Sequence, residues 1–197
     1  MVKIGITGGM GAGKSYVSAL LASRGIPVYD SDFHAKRIMS DDGETVRLLT
    51  ELVGPELYVN GKLDRNLMAG YIFADKENAK AVESIVHPKV RDDFRRWSSA
   101  QHDKDICVLE SAILFESGFD SEVDFIVAVD APPELRLSRS MARDPSVSES
   151  SLLARINSQS DHAEKCSKAG FVIINDGRDL ESQIDKMLSI CNNINTL

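Results

Sequence analysis

The sequence predicts an α/β fold, in which a five-stranded, mainly parallel sheet is flanked by helices and carries an inserted helical subdomain and a lid. Five short apolar runs are continuous instead of alternating, which is typical of strands that are covered on both faces, and helical stretches separate them. An overlong gap between the second and third runs predicts the insertion. The five runs are Val2 to Thr7, Ile26 to Tyr29, Ile106 to Leu109, Phe125 to Val129 and Phe171 to Ile174.

The helices of the predicted core follow these strands. Lys14 to Ser23 reads as a helix that ends at Gly25, a residue type common just past helix ends. A second helix is predicted from Pro132 to about Arg143. The last one, from Leu180 to Cys191, has apolar residues at the spacing of a single helix face. We expect these helices to pack on the sheet.

The gap between the second and third runs holds about 76 residues, too many for a simple crossover. Three stretches in it have helical periodicity, and the longest carries one apolar stripe. Pro88 falls inside the longest stretch and is expected to kink it or to begin a new helix. The three stretches are Glu44 to Leu52, Arg65 to Phe73 and Lys76 to Trp97.

These patterns divide the chain into two parts. Residues 1–30 and 106–197 are expected to form the core, and residues 31–105 the helical subdomain. A polar break at Asp144 to Ser148 precedes a predicted helix from Ser151 to Gln159. We therefore expect a mobile lid around residues 139–159.

Composition excludes several classes of protein. The 197 residues include 23 Lys and Arg against 30 Asp and Glu, so the net charge is −7. An acidic chain disfavours nucleic acid as the main partner. No apolar run approaches the length of a membrane helix, so no membrane partner is expected. Cys107, Cys166 and Cys191 are scattered and fit neither a disulfide framework nor a zinc-ligand spacing, which indicates a reducing compartment and the cytoplasm. Composition leaves the oligomeric state open.

The glycine-rich turn after the first strand carries the strongest motif. Gly8 to Ser15 reads GGMGAGKS and matches the phosphate-binding pattern G-x-x-x-x-G-K-[ST], between a strand and a helix as the mechanism requires. Backbone N–H groups and the helix N-terminus would hold the phosphates of ATP, and Lys14 would bridge the β- and γ-phosphates. Ser15 would offer its hydroxyl to Mg²⁺, together with waters and phosphates. The predicted ATP-binding residues here are Gly8, Gly11, Ala12, Gly13, Lys14, Ser15 and Tyr16.

Two carboxylates follow the second strand directly, at the sheet edge where ligands bind in open α/β folds. Phosphate transfer to an alcohol needs a carboxylate that orients the hydroxyl and accepts its proton, and Asp32 is our candidate. The alternative is that Ser31 or Asp32 only caps the following helix. Asp30 is interpreted as a possible holder of a metal-bound water.

Arg136, Arg139 and Arg143 are three and four residues apart, so they share one helix face. Arg139 and Arg143 are candidates for binding the transferred phosphate, because a guanidinium donates paired hydrogen bonds. A solvated face is the ordinary alternative.

The four histidines form no metal-binding pattern, and spacing alone indicates that His87 is a structural residue beside Pro88.

The chain lacks the N-K-x-D and D-x-x-G motifs of a GTPase. Its third strand ends in Val108 to Ser111. This segment only weakly matches the transport ATPase pattern, in which a hydrophobic strand ends in an acidic residue that a second carboxylate follows. Small size, the insertion and the arginines favour a kinase for a small molecule. The alternatives are a kinase for shikimate, gluconate or a nucleoside monophosphate, and a module that binds ATP without transferring phosphate.

At this level of detail the chain resembles the dephospho-coenzyme A kinase family over nearly its whole length. The matching blocks are Ile6 to Ser15, Tyr29 to Asp32, Gly61 to Arg65, Ile72 to Phe73, Ile85 to Pro88, Leu114 to Glu116, Arg139 to Asp144 and Ile174 to Gly177. The order and spacing of these blocks make the resemblance specific. Two positions depart from the family pattern. Tyr16 stands where Thr is usual and is expected to crowd the nucleotide, and Glu110 to Ile113 replaces Asp-x-Pro-Leu.

The resemblance implies transfer of the γ-phosphate of ATP to the ribose 3′-hydroxyl of dephospho-coenzyme A, which completes coenzyme A. It implies a nucleotide-binding core, a helical substrate-binding subdomain and a lid. By this likeness Asp32 is the base, and Lys14 acts with Arg139 or Arg143 on the transferred group. His87 lies near the substrate and Asn175 near the adenine.

Overall fold

The main sheet of the computed structural model has five strands in the order β2-β5-β1-β6-β7. The structure describes residues 1–143, 147–148, 152–153 and 161–194. The strands of this sheet are β1 (Val2–Gly8), β2 (Val28–Asp30), β5 (Ile106–Glu110), β6 (Phe125–Asp130) and β7 (Phe171–Ile174). The predicted fold class is confirmed, and each predicted strand lies within two residues of its expected position.

The central strand β1 pairs in parallel with β5 on one side and β6 on the other. Ile6 is in register with Glu110, and Gly8 with Val129. Strand β7 pairs in parallel with β6, so that Asp130 is in register with Ile174. The last residues of β1, β5 and β6 therefore lie along one edge of the sheet, the edge where open α/β folds bind ligands.

Helices pack on this sheet because their apolar faces join a common core. The helices beside the sheet are α1 (Lys14–Ser23), α6 (Pro133–Arg143), α7 (Asp161–Lys168) and α8 (Leu180–Ile194). Val17 and Leu21 of α1 and Ile184 of α8 are buried against the strand residues Ile4 and Ile6. Helix α7 is absent from the sequence prediction, because its segment is too polar to give a clear apolar periodicity.

The chain divides into two compact units: a first unit of residues 1–29 and 98–197, and a second unit of residues 30–97. The second unit contains four helices and a short antiparallel hairpin among the residues described for it. Its elements are α2 (Ser31–Asp41), α3 (Gly43–Val53), β3 (Tyr58–Val59), β4 (Lys62–Leu63), α4 (Arg65–Ala74) and most of α5 (Lys76–Ser99), with a 3₁₀ turn at Pro55–Leu57. A second 3₁₀ turn, Phe119–Glu122, lies in the first unit.

Carboxylates begin three of these helices. Asp30, Asp42 and Asp64 each accept a hydrogen bond from a backbone N–H of the first turn of α2, α3 and α4. Each such cap satisfies a donor that a helix end otherwise leaves unpaired, and contributes about 1 kcal/mol.

The longest helix corrects one prediction. No new helix begins at Pro88, because α5 runs without interruption from Lys76 to Ser99. A proline inside a helix costs about 3 kcal/mol through its missing N–H and its ring. Burial of the apolar stripe that includes Val86, Val90 and Phe94 on either side of Pro88 offsets this cost and keeps the helix continuous.

The predicted lid, around residues 139–159, falls mostly outside the described residues, as does the predicted helix from Ser151 to Gln159. Among the helices that the structure describes, none is long and apolar enough to cross a bilayer.

Candidate active site

The loop between β1 and α1 has the shape of a phosphate cradle. The backbone φ angles of Gly11 and Gly13 are 73° and 95°, values that residues other than glycine rarely adopt. A Cβ at Gly11 would overlap the carbonyl oxygen of Arg136, and one at Gly13 would overlap Nδ2 of Asn175. Glycine is therefore required at both positions by the backbone angle and by its neighbours.

The N-terminus of α1 is left open toward this loop. Gly13 stands at the N-cap position without a side-chain cap, and the first turn holds no acidic residue. Among the described residues, the N–H groups of Gly11 and Gly13 have no hydrogen-bond partner. Unpaired N–H groups and the positive end of the helix dipole favour an anion at this place.

Lys14 adds a full positive charge to the cradle. Its Nζ donates hydrogen bonds to the carbonyl oxygens of Gly8, at 2.8 Å, and Gly9, at 3.4 Å. The ammonium group therefore lies against the loop itself. A phosphate oxygen is a stronger acceptor than a neutral carbonyl. The oxygens of a bound triphosphate would therefore replace the two carbonyl oxygens as acceptors of the Lys14 ammonium group.

Ser15 is joined to the end of strand β5. Its Oγ donates a hydrogen bond to Oε1 of Glu110 at 2.7 Å, and Glu110 is buried. The sequence leaves the role of Glu110 open, because Glu110 to Ile113 replaces the Asp-x-Pro-Leu pattern. Mg²⁺ prefers a few hard oxygen ligands and retains several waters. A hydroxyl and a carboxylate side by side fit this ion.

Residues of α6 and Asn175, which follows β7, fix the loop by hydrogen bonds. The buried Arg136 donates from Nε to the carbonyl oxygen of Met10 at 3.0 Å. Arg139 donates to the carbonyl oxygen of Asn175 at 3.0 Å, and Nδ2 of Asn175 donates to that of Ala12 at 3.0 Å. These bonds fix the loop at two points.

Burial lowers the pKa of the Arg136 guanidinium, while the carboxylate of Asp130 opposes that shift. Arg143, at the end of α6, is exposed and has no partner among the described residues. The three arginines that the sequence groups on one helix face therefore differ in environment. Arg136 supports the loop, Arg139 contacts the end of β7, and Arg143 is available to a ligand.

A histidine that the sequence prediction left unassigned touches the loop. The N–H of Gly9 donates to Nδ1 of His162 at 3.0 Å, and Nε2 of His162 lies 2.5 Å from Oδ1 of Asp130. Since Nδ1 accepts a hydrogen bond, the ring proton belongs on Nε2, where it is donated to Asp130. No sequence signal indicates this contact, which forms only when α7 packs beside the ends of β1 and β6.

The remaining predicted residues, Asp32 and His87, belong to the second unit. Asp32 lies in the first turn of α2 with its carboxylate exposed. The capping role that the sequence left open for Ser31 or Asp32 is filled by Asp30, whose Oδ1 accepts from the N–H of Phe33 at 3.0 Å. Among the described residues, Asp32 makes no hydrogen bond or ion pair.

His87 lies partly buried in the middle of α5. Burial is the main cause that lowers the pKa of His87; Arg91 adds to the shift and Glu83 opposes it. The imidazole is therefore neutral at neutral pH and offers one donor and one acceptor. Such a ring suits a polar, uncharged part of a ligand.

Fold and cradle together define a class of protein. A parallel sheet, a GxxxxGK[ST] loop on an open helix N-terminus, and a serine paired with an acid at the end of a neighbouring strand are the parts of a P-loop kinase. The comparisons with known proteins narrow this class. The family model described as "Dephospho-CoA kinase" matches residues 2–181, and the chain belongs to the dephospho-CoA kinase family.

Individual relatives agree with this assignment. A dephospho-CoA kinase of Bacteroides fragilis is 50% identical over 176 residues, which cover 89% of this chain and 85% of that protein. A crystal structure from Thermus thermophilus has a TM-score of 0.82 at 38% identity and covers 95% of this chain and 96% of its own. The dephospho-CoA kinase of Campylobacter jejuni has a TM-score of 0.72 at 25% identity, with 97% and 98% covered.

The protein is therefore a kinase of a family that uses ATP and acts on dephospho-CoA. The family resemblance and the enzyme class predicted from the sequence are confirmed. The alternatives that the sequence left open, a kinase of another family and a module without transfer activity, are set aside by a match over most of the chain.

Proposed function

We propose that this chain transfers the γ-phosphate of ATP to the ribose 3′-hydroxyl of dephospho-CoA, the last step of coenzyme A synthesis. The observation that carries the proposal is the phosphate cradle: an open helix N-terminus, Lys14 over the loop, and Ser15 paired with Glu110. The family match supplies the acceptor.

In the first step the cradle binds the triphosphate of ATP. The N–H groups of the loop turn to the phosphate oxygens, and Lys14 leaves the carbonyl oxygens of Gly8 and Gly9 to neutralise the β- and γ-phosphates. Arg136 and Asn175 keep the loop open, because both donate to its carbonyl oxygens and hold them away from the phosphates.

Ser15 and Glu110 would hold Mg²⁺ or its waters, and the ion, when bound, neutralises charge on the phosphates. The serine hydroxyl and the carboxylate already lie 2.7 Å apart, so little rearrangement of side chains is needed. Glu110 thus takes the place of the acid that other P-loop enzymes carry at the end of this kind of strand.

Asp32 acts as the general base. Its exposed carboxylate accepts the proton of the 3′-hydroxyl while that oxygen attacks the γ-phosphorus and the bond to the β–γ bridging oxygen breaks. Two features support this role. Asp30 caps α2, so the carboxylate of Asp32 is not needed as the cap, and α2 begins where β2 ends. Carboxyl ends of parallel strands form the ligand-binding edge of such sheets.

Arg139 and Arg143 stabilise the charge that spreads over the transferred group, because a guanidinium donates paired hydrogen bonds to phosphate oxygens. Asn175 contacts the adenine with the part of its amide that is not used on Ala12. Tyr16, exposed on α1, borders the nucleotide. His87 contributes a neutral ring to substrate binding.

We also propose that the protein works in a reducing cytoplasm, without nucleic acid as a partner. Burial raises the pKa of the Cys107 and Cys191 thiols to about 11 in each case, so both are unreactive at neutral pH. The acidic net charge of −7 disfavours binding to a phosphate backbone.

An acceptor panel tests the proposal. ADP release is measured with ATP and Mg²⁺ and with dephospho-CoA, shikimate, gluconate or a nucleoside monophosphate in turn, and phosphorus NMR locates the new phosphate. We expect turnover of dephospho-CoA alone, at the 3′ position. Lys14→Met should abolish it, whereas Lys80→Met, a surface lysine paired with Glu77, should not. Turnover of another acceptor without dephospho-CoA contradicts the proposal.

A further inference from the structure

Three side chains with metal-binding chemistry meet in the first unit, behind the phosphate loop. Asp130 is the last residue of β6, and His162 and Cys166 lie four residues apart on α7, so they share one helix face. One ligand atom of each residue lies within 4.8 Å of the other two. The Nε2 atom of His162 is 2.5 Å from Oδ1 of Asp130 and 3.9 Å from Sγ of Cys166. We refer to these residues as the Asp–His–Cys cluster.

We propose that the Asp–His–Cys cluster binds a borderline divalent cation such as Zn²⁺, with a water as fourth ligand, and that this ion acts on the phosphate loop through His162. Imidazole, thiolate and carboxylate are a donor set that Zn²⁺ accepts, whereas Mg²⁺ prefers oxygen alone. Nothing in the family assignment calls for such a site.

The spacing of the cluster fits this ion. Tetrahedral Zn²⁺ with bonds of about 2.0 to 2.3 Å holds its ligand atoms roughly 3.3 to 3.8 Å apart. The separation of Sγ and Nε2, 3.9 Å, is already close to this range. The Asp130 oxygen and Nε2 are held closer only by the hydrogen bond that the metal would replace. The side chain of Asp130 is 34% exposed and that of His162 is 11% exposed, so the cluster is open to solvent at Asp130.

Binding has a defined proton balance. Cys166 is a free cysteine, and Zn²⁺ binds cysteine as the thiolate, so the thiol proton has to leave when the ion binds. When the sulfur binds the metal it releases that proton to solvent. At His162 the metal takes the lone pair of Nε2, and the ring proton moves from Nε2 to Nδ1.

This tautomer change links the site to the loop. Without metal, Nδ1 of His162 accepts a hydrogen bond from the N–H of Gly9 at 3.0 Å. With metal on Nε2, Nδ1 carries a proton and faces the Gly9 N–H as a second donor, so the bond between them is lost. The loop then loses one of its fixed points, and we expect ATP to bind less tightly. By linkage, ATP weakens the metal to the same extent.

The sequence did not indicate this site. A single His and Cys at helical spacing do not make a metal motif, and the third ligand comes from a strand that ends more than thirty residues earlier. Only the packing of α7 against the end of β6 joins them.

Titration of the full-length protein with Co²⁺, without nucleotide, tests the site. We expect the near-ultraviolet charge-transfer band of a cobalt thiolate with the intense visible bands of four-coordinate cobalt, and Zn²⁺ should displace both. Cys166→Ser should lose the charge-transfer band, whereas Cys191→Ala, which removes a buried thiol on α8, should retain it. Circular dichroism verifies that both variants fold. A missing band in the wild type, or one that survives Cys166→Ser, overturns the site.

Steady-state kinetics test the link to the loop. With Mg²⁺-ATP in excess and free Zn²⁺ fixed by a metal buffer, we expect the KM for ATP of the wild type to rise at least about fivefold, the lower range of typical couplings. The Cys166→Ser variant should keep its KM. An unchanged KM in the wild type, or an equal rise in both proteins, overturns the link.

Discussion

Asp32 is the residue on which the proposed proton transfer depends. We expect Asp32→Asn to lower kcat by about 10²- to 10⁴-fold, because an amide cannot accept the proton of the attacking hydroxyl. The Kd for ATP should change by less than about twofold, since the proposed mechanism assigns the phosphates to the loop and not to α2. ADP release and nucleotide titration measure the two quantities.

The matched control for Asp32 is Asp41→Asn, at the other end of α2, where an exposed carboxylate is removed from the same helix. It should leave kcat near the wild-type value. If Asp32→Asn also turns over at the wild-type rate, Asp32 is not the base.

Glu110 is the acid that the structure adds to the predicted site. Its carboxylate accepts a hydrogen bond from the hydroxyl of Ser15, and Glu110 is buried at the end of β5. Glu110→Gln keeps a hydrogen-bond acceptor but removes the negative charge that, in the proposed mechanism, attracts Mg²⁺ and its waters. We expect about a tenfold or larger loss in apparent Mg²⁺ affinity, measured as activity against Mg²⁺ concentration at fixed ATP.

Glu116→Gln is the comparison for Glu110. Glu116 pairs with Lys165 and is 40% exposed, so the substitution removes a carboxylate that does not contact Ser15. The Mg²⁺ dependence should be that of the wild type. If activity depends on Mg²⁺ concentration in the same way for Glu110→Gln and the wild type, Glu110 does not contribute to Mg²⁺ binding.

At the scale of elements, the turn between β1 and α1 has positive φ angles that glycine adopts without steric cost and other residues rarely adopt. Gly11 has a φ of 73° and packs so closely on Arg136 that no Cβ fits without movement of α6. We expect Gly11→Ala to destabilise the fold by about 1–3 kcal/mol and to abolish ATP binding. Urea unfolding and nucleotide titration measure the two effects.

Gly43→Ala is the control for the glycine substitution. Gly43 begins α3, has an ordinary φ, and a Cβ there meets no atom within 4 Å. Alanine should stabilise the protein by about 0.4–1 kcal/mol, because it restricts the unfolded chain. If the two alanine variants have equal stability, the packing argument for Gly11 fails.

Elements differ in how well their sequences specify them. The strands β1, β5 and β6 are continuous apolar runs, and α1 begins at an unmistakable glycine motif, so local sequence specifies them. Helix α7 is mostly polar, and tertiary contacts of His162 and Lys165 decide its place. Of the two outcomes predicted at Pro88, a kink or a new helix, the new helix is wrong, since burial on both sides of Pro88 outweighs the local preference.

At the scale of the whole molecule, the parallel sheet and the phosphate loop could be predicted because both depend on local sequence patterns. The contacts of the site could not. Ser15 with Glu110 and Gly9 with His162 join residues 95 and 153 positions apart, and no periodicity connects them. The roles of all the predicted site residues stay predictions, and the substitutions and the acceptor panel address several of them.

The stability of the whole chain should depend on pH through His87. Burial holds the pKa of this buried ring below its ordinary value of 6.5, so below about pH 6.5 the unfolded chain binds a proton that the folded chain excludes. The contribution of the neutral ring is complete above pH 6.5 and is lost as pH falls from there toward the lower folded pKa. The slope cannot exceed about 1.4 kcal/mol per pH unit for one proton.

Urea unfolding of the wild type and of His87→Gln between pH 7 and pH 5 measures this dependence. We expect the free energy of unfolding to fall more steeply for the wild type, because glutamine binds no proton. Asp42 titrates in a separate window: hydrogen bonds from Thr45 lower its pKa, so its contribution is lost only below its ordinary value of 3.8. Parallel curves for the two proteins over this range would mean that His87 is as accessible to protons in the folded chain as in the unfolded one, and that α5 does not bury it.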